Sequence, residues 1–283
     1  MRVQKKAEGR KKKMLEIKNV SKTFNKGTIN EKLALDGLSI TINDGDFITV
    51  IGGNGAGKST LLNAICGTII ADEGSIILDD KDITKLKESK KAKYLGRVFQ
   101  DPMMGTCADM SVEENLALAI RRGKTRSLKW GMPKKDREDF VSALAKLDLG
   151  LEQRLSSKVG LLSGGQRQAI TLLMATLNRP ELLLLDEHTA ALDPKTAEKV
   201  LYLTKQIVED GNITTLMITH NMQDAITYGN RLIMMNAGKI IYDVSGEEKK
   251  NLTVKALLEK FEQIAPSVVA SDKMVLANKN SDI

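Results

Sequence analysis

The stretch GGNGAGKS, from Gly52 to Ser59, and the stretch LSGGQ, from Leu162 to Gln166, decide how the rest of the chain is read. The first follows a strand-like run, Asp46 to Ile51, and opens a helix at Lys58. Gly52, Gly53, Gly55 and Gly57, with Asn54 and Ala56 among them, let backbone amides turn towards a polyphosphate. The helix that follows adds unpaired N–H groups and the positive end of its dipole. Lys58 supplies a mobile full charge for the β- and γ-phosphates, Ser59 a hydroxyl for Mg²⁺, and Thr60 a contact to the α-phosphate. The loop alone specifies a nucleoside triphosphate and leaves kinases, GTPases, helicases and motors open.

Further along, Leu182 to Leu185 is a short, fully apolar run, the pattern of a central parallel strand buried on both faces. It delivers Asp186 and Glu187 to the strand's C-terminal edge, where ligands of such sheets collect. Asp186 is placed to hold Mg²⁺ through its water shell, and Glu187 to polarise an attacking water as general base. Ser163, Gly164 and Gly165 open a helix running through Gln168, Ile170 and Leu173. They present a hydroxyl, bare amides and a helix N-terminus, a surface that receives a γ-phosphate.

A phosphate loop, an LSGGQ ahead of a long apolar helix, and an apolar run ending in Asp-Glu resemble, in that order, the ATPase subunit of an ABC transporter. The resemblance covers about Leu15 to Val244. It implies an α/β fold: a P-loop NTPase cassette with a RecA-like α/β core, an antiparallel β subdomain and an inserted helical subdomain. It implies ATP and Mg²⁺ as ligands. In such cassettes two chains sandwich two ATPs head to tail, so Ser163, Gly164, Gly165 and Gln166 would serve the nucleotide of a second copy. Gln100, at the end of the strand-like Leu95 to Phe99, resembles the glutamine that senses both metal and lobe position. His220, after Thr214 to Thr219, resembles the switch histidine at the γ-phosphate, Phe24 the aromatic that stacks on adenine, and Asp193 the loop that couples the two sites. One departure stands out: His188 follows Glu187 where proline is usual. A metal reading of His188 and His220 is weak, because no further His or Cys lies near either.

The resemblance further implies a membrane permease as partner and, through it, an extracellular substrate-binding protein. The chain would then lie at the cytoplasmic face of the membrane. The stretches QDPMMGTCADMSVEENLALA, from Gln100, and DEHTAALDPKTAEKV, from Asp186, are similar to a bacterial subgroup of amino-acid-type uptake ATPases, some linked with aromatic amino acids. Transport is the favoured reading, import over export. A soluble ABC ATPase of the iron–sulphur assembly type remains the alternative, whereas the ordered set of motifs removes a kinase. The groove beside Gln100 and Asp101 to Met110 is where a permease helix would dock.

The remaining pattern supplies the frame. Leu15 to Val20 and Leu38 to Ile42 read as strands, Ser111 with Glu114 as a capping box, and Lys134 to Leu149 as a helix. Residues of about 101–162 form a helical lobe inserted into a cassette of 14–246. Strands are expected at Leu182 to Asp186, Thr214 to Thr219, Arg231 to Asn236 and Lys239 to Asp243. A last amphipathic helix starts at Thr253, with Val254, Leu257, Leu258, Phe261 and Ile264 on one face, and ends at Pro266 within a C-terminal segment of 247–283, frayed beyond that proline.

The net charge of +7 is concentrated at the start. Residues 1–13 carry seven basic groups against Glu8, hence +6 of it, and read as a disordered leader. The body is near neutral, which argues against a nucleic-acid groove. Translation from Met14 and a solvated arm are both open for that leader. Cys66 and Cys107 are isolated, no secretory signal is visible, and no apolar stretch approaches the ~20 residues that span a bilayer. Arg121, Arg122, Lys124, Arg126 and Lys129 with Trp130 read chiefly as a solvated loop, and otherwise as a contact with membrane or permease.

Overall fold

The computed structural model describes residues 12–124 and 133–264. The chain begins with long strands β1 (Lys13–Phe24) and β2 (Lys32–Asn43), then β3 (Phe47–Ile51), helix α1 (Lys58–Cys66), β4 (Glu73–Leu78), β5 (Lys81–Asp82), α2 (Glu88–Lys91) and β6 (Leu95–Val98). Helices α3 (Val112–Ile120), α4 (Lys134–Ala145) and α5 (Gly164–Thr176) come next. Then follow β7 (Leu182–Asp186), α6 (Pro194–Gly211), β8 (Thr215–Ile218), α7 (Met222–Thr227), β9 (Arg231–Asn236), β10 (Lys239–Ser245), α8 (Gly246–Lys250) and α9 (Val254–Ile264).

Two sheets result. One is antiparallel, in the order β2-β1-β4-β5; the other runs β10-β9-β3-β8-β7-β6, parallel except for β10. The sequence explains the division. All five residues of β3 and all four leucines of β7 are buried, as strands covered on both faces require. In β1 Leu15, Ile17 and Val20 turn inward among half-buried and exposed neighbours. Leu15, Ile17, Ile76 and Leu78 of the antiparallel sheet share one core with Leu62 and Ile65 of α1 and with Leu182, Leu184 and Ile218 of the parallel sheet. A second core, with Val112, Leu116, Phe140, Leu144, Leu151 and Ile170, unites α3, α4 and α5. Among the described residues no helix is long and apolar enough to cross a membrane.

Several local expectations change. Helix α4 stops at Ala145 rather than Leu149, because Asp148 and Gly150 adopt left-handed backbones, φ 51° and 67°. Helix α6 starts directly after Asp193, for whose following residues the sequence pattern assigns no element. Pro194 stands at its first turn, where proline's fixed φ suits a helix. On α9 only Leu257 and Phe261 are buried, and Ile264 is exposed, so the apolar face is narrower than its five-residue pattern. At the other end, Lys13 already pairs with Asn43 in β1, and Lys12 bonds Asp79, so the leader reading fails for these two residues. Residues 1–11, Arg126, Lys129, Trp130 and the tail from Pro266 lie outside the described residues.

Candidate nucleotide site

The phosphate loop joins β3 to α1 at the C-terminal edge of the parallel sheet. Gly57 has φ 99°, and a Cβ there would lie 2.5 Å from the Ala34 carbonyl oxygen, so the loop closes against β2 only with glycine at this point. Lys58 is 8% exposed, and its Nζ donates to the carbonyl oxygens of Gly52 at 2.7 Å and Gly53 at 3.2 Å. The ammonium therefore lies over the loop's own backbone. Asn54, Gly55 and Ser59 face solvent, and Thr60 is half-buried beside them.

Strand β7 lies between β6 and β8, with Asp186 opposite Ile218. Burial pushes the Asp186 carboxyl above its ordinary range, opposed by the Arg97 guanidinium, whose Nη2 is 3.3 Å from Oδ2. Glu187 has φ 45°, and its N–H donates to the Ile218 carbonyl at 3.1 Å. Its Oε2 stands 3.6 Å from Nδ1 of the exposed His220, longer than a good hydrogen bond. That contact, outweighing the effect of burial, holds the Glu187 carboxyl below its usual range, so it is ionised at neutral pH. The strand edges thus bring Asp186, Glu187 and His220 together, and the loop that carries Lys58 leaves β3 beside β8.

Gln100 is exposed, one residue past Phe99, which follows the end of β6. Phe24, half-buried, ends β1 with Lys22 Nζ 5.9 Å from its ring centroid. His188 is fully buried, and its Nε2 meets Thr204 Oγ1 of α6 at 3.1 Å. Thr204 already donates to the Val200 carbonyl, so its oxygen accepts and His188 carries the proton on Nε2. Burial pushes this histidine down to about 4, which keeps it neutral. A polar tie to α6 replaces the rigid ring of the usual proline.

LSGGQ caps α5. Ser163 accepts from the N–H of Gln166, and Gln166 Oε1 accepts in return from the N–H of Ser163, both at 3.3 Å. Ser163 and Gly164 are exposed. Gly165 is buried under the first turn of α6, where a Cβ would lie 2.1 Å from Thr196 Cγ2, so only glycine fits. Asp193 caps that turn by accepting from the Thr196 N–H at 3.1 Å. The signature and the Asp193 turn are thus built against each other, with their outer edges exposed.

Two residues that no motif announced also belong here. Arg97 touches Asp186. Gln168, wholly buried, donates to the Phe99 carbonyl at 3.3 Å, tying α5 to the strand end before Gln100, while its Oε1 has no hydrogen-bond partner among the described residues. A charged residue inside a four-residue strand was the only signal for Arg97; none marked Gln168. Between β6, α3 and α5 runs a groove of about 1450 Å³, lined by Phe99, Met104, Leu118, Arg121, Arg122 and Met174. Of the basic cluster, Arg122 is half-buried and donates to the Ala175 carbonyl at 3.0 Å, whereas Arg121 and Lys124 are exposed.

A parallel sheet with a phosphate loop, an acidic pair at the neighbouring strand edge and a second, outward-facing glycine-bearing helix start define an ATP-binding cassette. The profile of the family "ABC transporter" matches residues 35–190. The tyrosine transport ATP-binding protein of Clostridioides difficile (strain R20291) is 50% identical over 249 residues, 88% of this chain and 99% of that protein. A spermidine/putrescine import ATP-binding protein of Haemophilus ducreyi (strain 35000HP / ATCC 700724) is 34% identical over 91% of this chain, which spans 66% of that longer relative. Among solved structures, a dimeric ATP-binding cassette in a post-hydrolysis state with ADP and phosphate superposes with a TM-score of 0.69. It is 28% identical and covers 82% of this chain and 98% of its own. The chain belongs to the ABC transporter family, as an ATP-binding subunit of the kind that powers import.

Proposed function

We propose that this chain hydrolyses Mg-ATP as one of two identical cassettes and thereby drives uptake of an aromatic amino acid, tyrosine or a close analogue, through a separate permease. The observation that carries hydrolysis is the Glu187 carboxyl, 3.6 Å from His220, at the strand edge next to the phosphate loop. Likeness to the tyrosine transport protein over nearly the whole of that relative supports the cargo.

In this reading the amides of Gly53, Asn54, Gly55, Ala56 and Gly57 cradle the phosphates, Lys58 leaves the Gly52 and Gly53 carbonyls for the β- and γ-oxygens, and Thr60 takes the α-phosphate. Phe24 stacks on adenine. The Ser59 hydroxyl, the Asp186 carboxylate and the Gln100 amide oxygen are hard donors, the set that suits Mg²⁺ and leaves positions for phosphate oxygens. Bound there, Mg²⁺ would neutralise charge developing on the transferred phosphate. Glu187 accepts the proton of the attacking water, and His220 orients Glu187 and reaches the γ-phosphate. Exposed Ser163 and Gly164, with the α5 N-terminus and Gln166, serve the nucleotide of the second copy, and Asp193 sits at the same seam.

Residues of about 101–162 act as a lobe on a cassette of 14–246. The groove beside Met103 and Met104, 38% and 69% exposed, accepts a cytoplasmic helix of the permease, which a substrate-binding protein supplies from outside. The chain then works at the cytoplasmic face of the membrane. Glu187→Gln tests the chemistry: ATP binding stays, hydrolysis falls by about two to three orders of magnitude, and an ATP-bound dimer accumulates on size-exclusion chromatography. Wild-type turnover in that variant would remove Glu187 as base. Co-expression with its permease should bring the chain to membranes, and a charge at Met104 should weaken this. Co-purification with soluble assembly proteins instead would favour the iron–sulphur type of ATPase.

A further inference from the structure

Arg97 is an unusual occupant of a core strand. In β6 it stands opposite Leu184 of β7, and residues two apart on parallel strands share a face. Its guanidinium is thereby carried to Asp186, two residues beyond Leu184, and to Phe99, two residues beyond Arg97 itself. The guanidinium carbon lies 4.5 Å from the Phe99 ring centroid, and Nη2 lies 3.3 Å from Asp186 Oδ2. Both partners of the ion pair are mostly buried, with 15% and 18% of their side chains exposed. The fit is incomplete: Arg97 Nε has no hydrogen-bond partner among the described residues, and the contact to Asp186 is single and long where arginine and carboxylate can pair twice. The same side chain lines the groove between the sheet and the helices, together with Phe99 and Cys66.

We propose that Arg97 is a displaceable counter-ion for Asp186: Mg²⁺ and the guanidinium compete for one carboxylate, and Arg97 retreats along the Phe99 ring into the groove when the metal binds. This rests on the metal role proposed above for Asp186. A hydrated dication held at the carboxylate and a guanidinium on the same carboxylate repel each other, so each lowers the affinity of the other. Phe99 gives the departing cation a face to rest on, and the unpaired Nε gives it a donor for a new acceptor. An acceptor in the groove, such as a carboxylate of a docked helix, would hold Arg97 away from Asp186 and tighten Mg²⁺ binding. Occupation of the groove and readiness of the nucleotide site would then be linked through one side chain.

The test is the ratio of ATP affinities with saturating MgCl₂ and with EDTA, measured by calorimetry at pH 8 on the full chain. Arg97→Gln should raise the Mg²⁺-dependent gain about two- to fivefold, the range expected when a partly screened ion pair no longer competes, and leave affinity in EDTA unchanged. In an Asp186→Asn background the same substitution should leave the ratio unchanged. A ratio that is equal or smaller in Arg97→Gln, or a rise that survives in Asp186→Asn, overturns the proposal. Arg97→Met, which keeps the aliphatic stem over Phe99, should behave like Arg97→Gln. The wild-type Arg97 Nε–H resonance provides a readout free of any variant: it should shift with Mg-ATP and not with ATP in EDTA, and an unmoved signal counts against displacement. Wild-type protein that binds ATP in neither buffer would instead remove the nucleotide reading on which this one stands.

Discussion

Lys58 and Lys91 sit at opposite ends of α1, and both ammonium groups end on backbone carbonyls. Lys91 reaches from α2 to the carbonyl oxygens of Ala64 and Ile65, 3.0 Å each, in the last turn of α1. It is wholly buried. A cation at a helix C-terminus meets the negative end of the dipole and orphan carbonyls, so the arrangement satisfies itself. Lys58 is a cation at the N-terminal end, where the dipole repels it and the free groups are donors like its own. Carbonyls of the preceding loop hold it there, among exposed Asn54, Gly55 and Ser59. Burial alone does not distinguish the two lysines; the polarity of the helix end does. Lys58 stands among exposed loop residues that a ligand can reach, whereas Lys91 is enclosed against the carbonyls it bonds.

That contrast can be broken by experiment. The largest effect is expected for Lys58→Ala: calorimetry should show ATP affinity reduced by ~100-fold or more, since two charge-assisted phosphate contacts are removed, with little change in melting temperature. Unchanged affinity would make the two lysines equivalents. Lys91→Met should do the reverse, leaving ATP affinity intact and lowering stability by about 1–3 kcal/mol at pH 7, because the Ile65 carbonyl loses its Lys91 donor while the Ala64 carbonyl keeps only the Gly67 N–H. Its deficit should widen with pH. Burial lowers the Lys91 ammonium to about 8, from an ordinary 10.5. Between those values the unfolded chain binds more protons than the folded one, so wild-type stability rises with pH while that of the Met variant does not. Denaturant midpoints at pH 7.5 and 9.5 check the sign. The smallest effect is expected at the leader. Removing residues 1–13 takes away +6 of charge and the exposed pairs Lys12–Asp79 and Lys13–Glu16, and should shift stability by less than about 1 kcal/mol, read as a melting temperature with ATPase activity retained.

The difference between those ends also explains what was legible beforehand. Gly52 to Ser59 and Leu182 to Glu187 were readable because phosphate chemistry demands glycine and buried strands demand uninterrupted apolar side chains, both local requirements. The Ser111–Glu114 box was readable for the same reason and is formed. Lys91 and Arg97 were not, since each acts on a residue distant in sequence, and a lysine in a stretch rich in lysine carries no mark of burial. The Asp193 turn was read for its place in the family pattern. That it also caps α6, and that Gly165 is small to admit Thr196, depends on two helices meeting.

Glu187 occupies a left-handed backbone, φ 45°, which glycine and asparagine enter more easily than glutamate. The chain therefore keeps a residue at this corner that its own geometry disfavours. Glu187→Gly should gain thermal tolerance as it loses turnover, whereas Glu187→Gln should lose turnover alone. A survey of this position for heat resistance would then rank variants in nearly the opposite order to a survey for work done. On this expectation the corner trades durability for a carboxylate at the sheet edge.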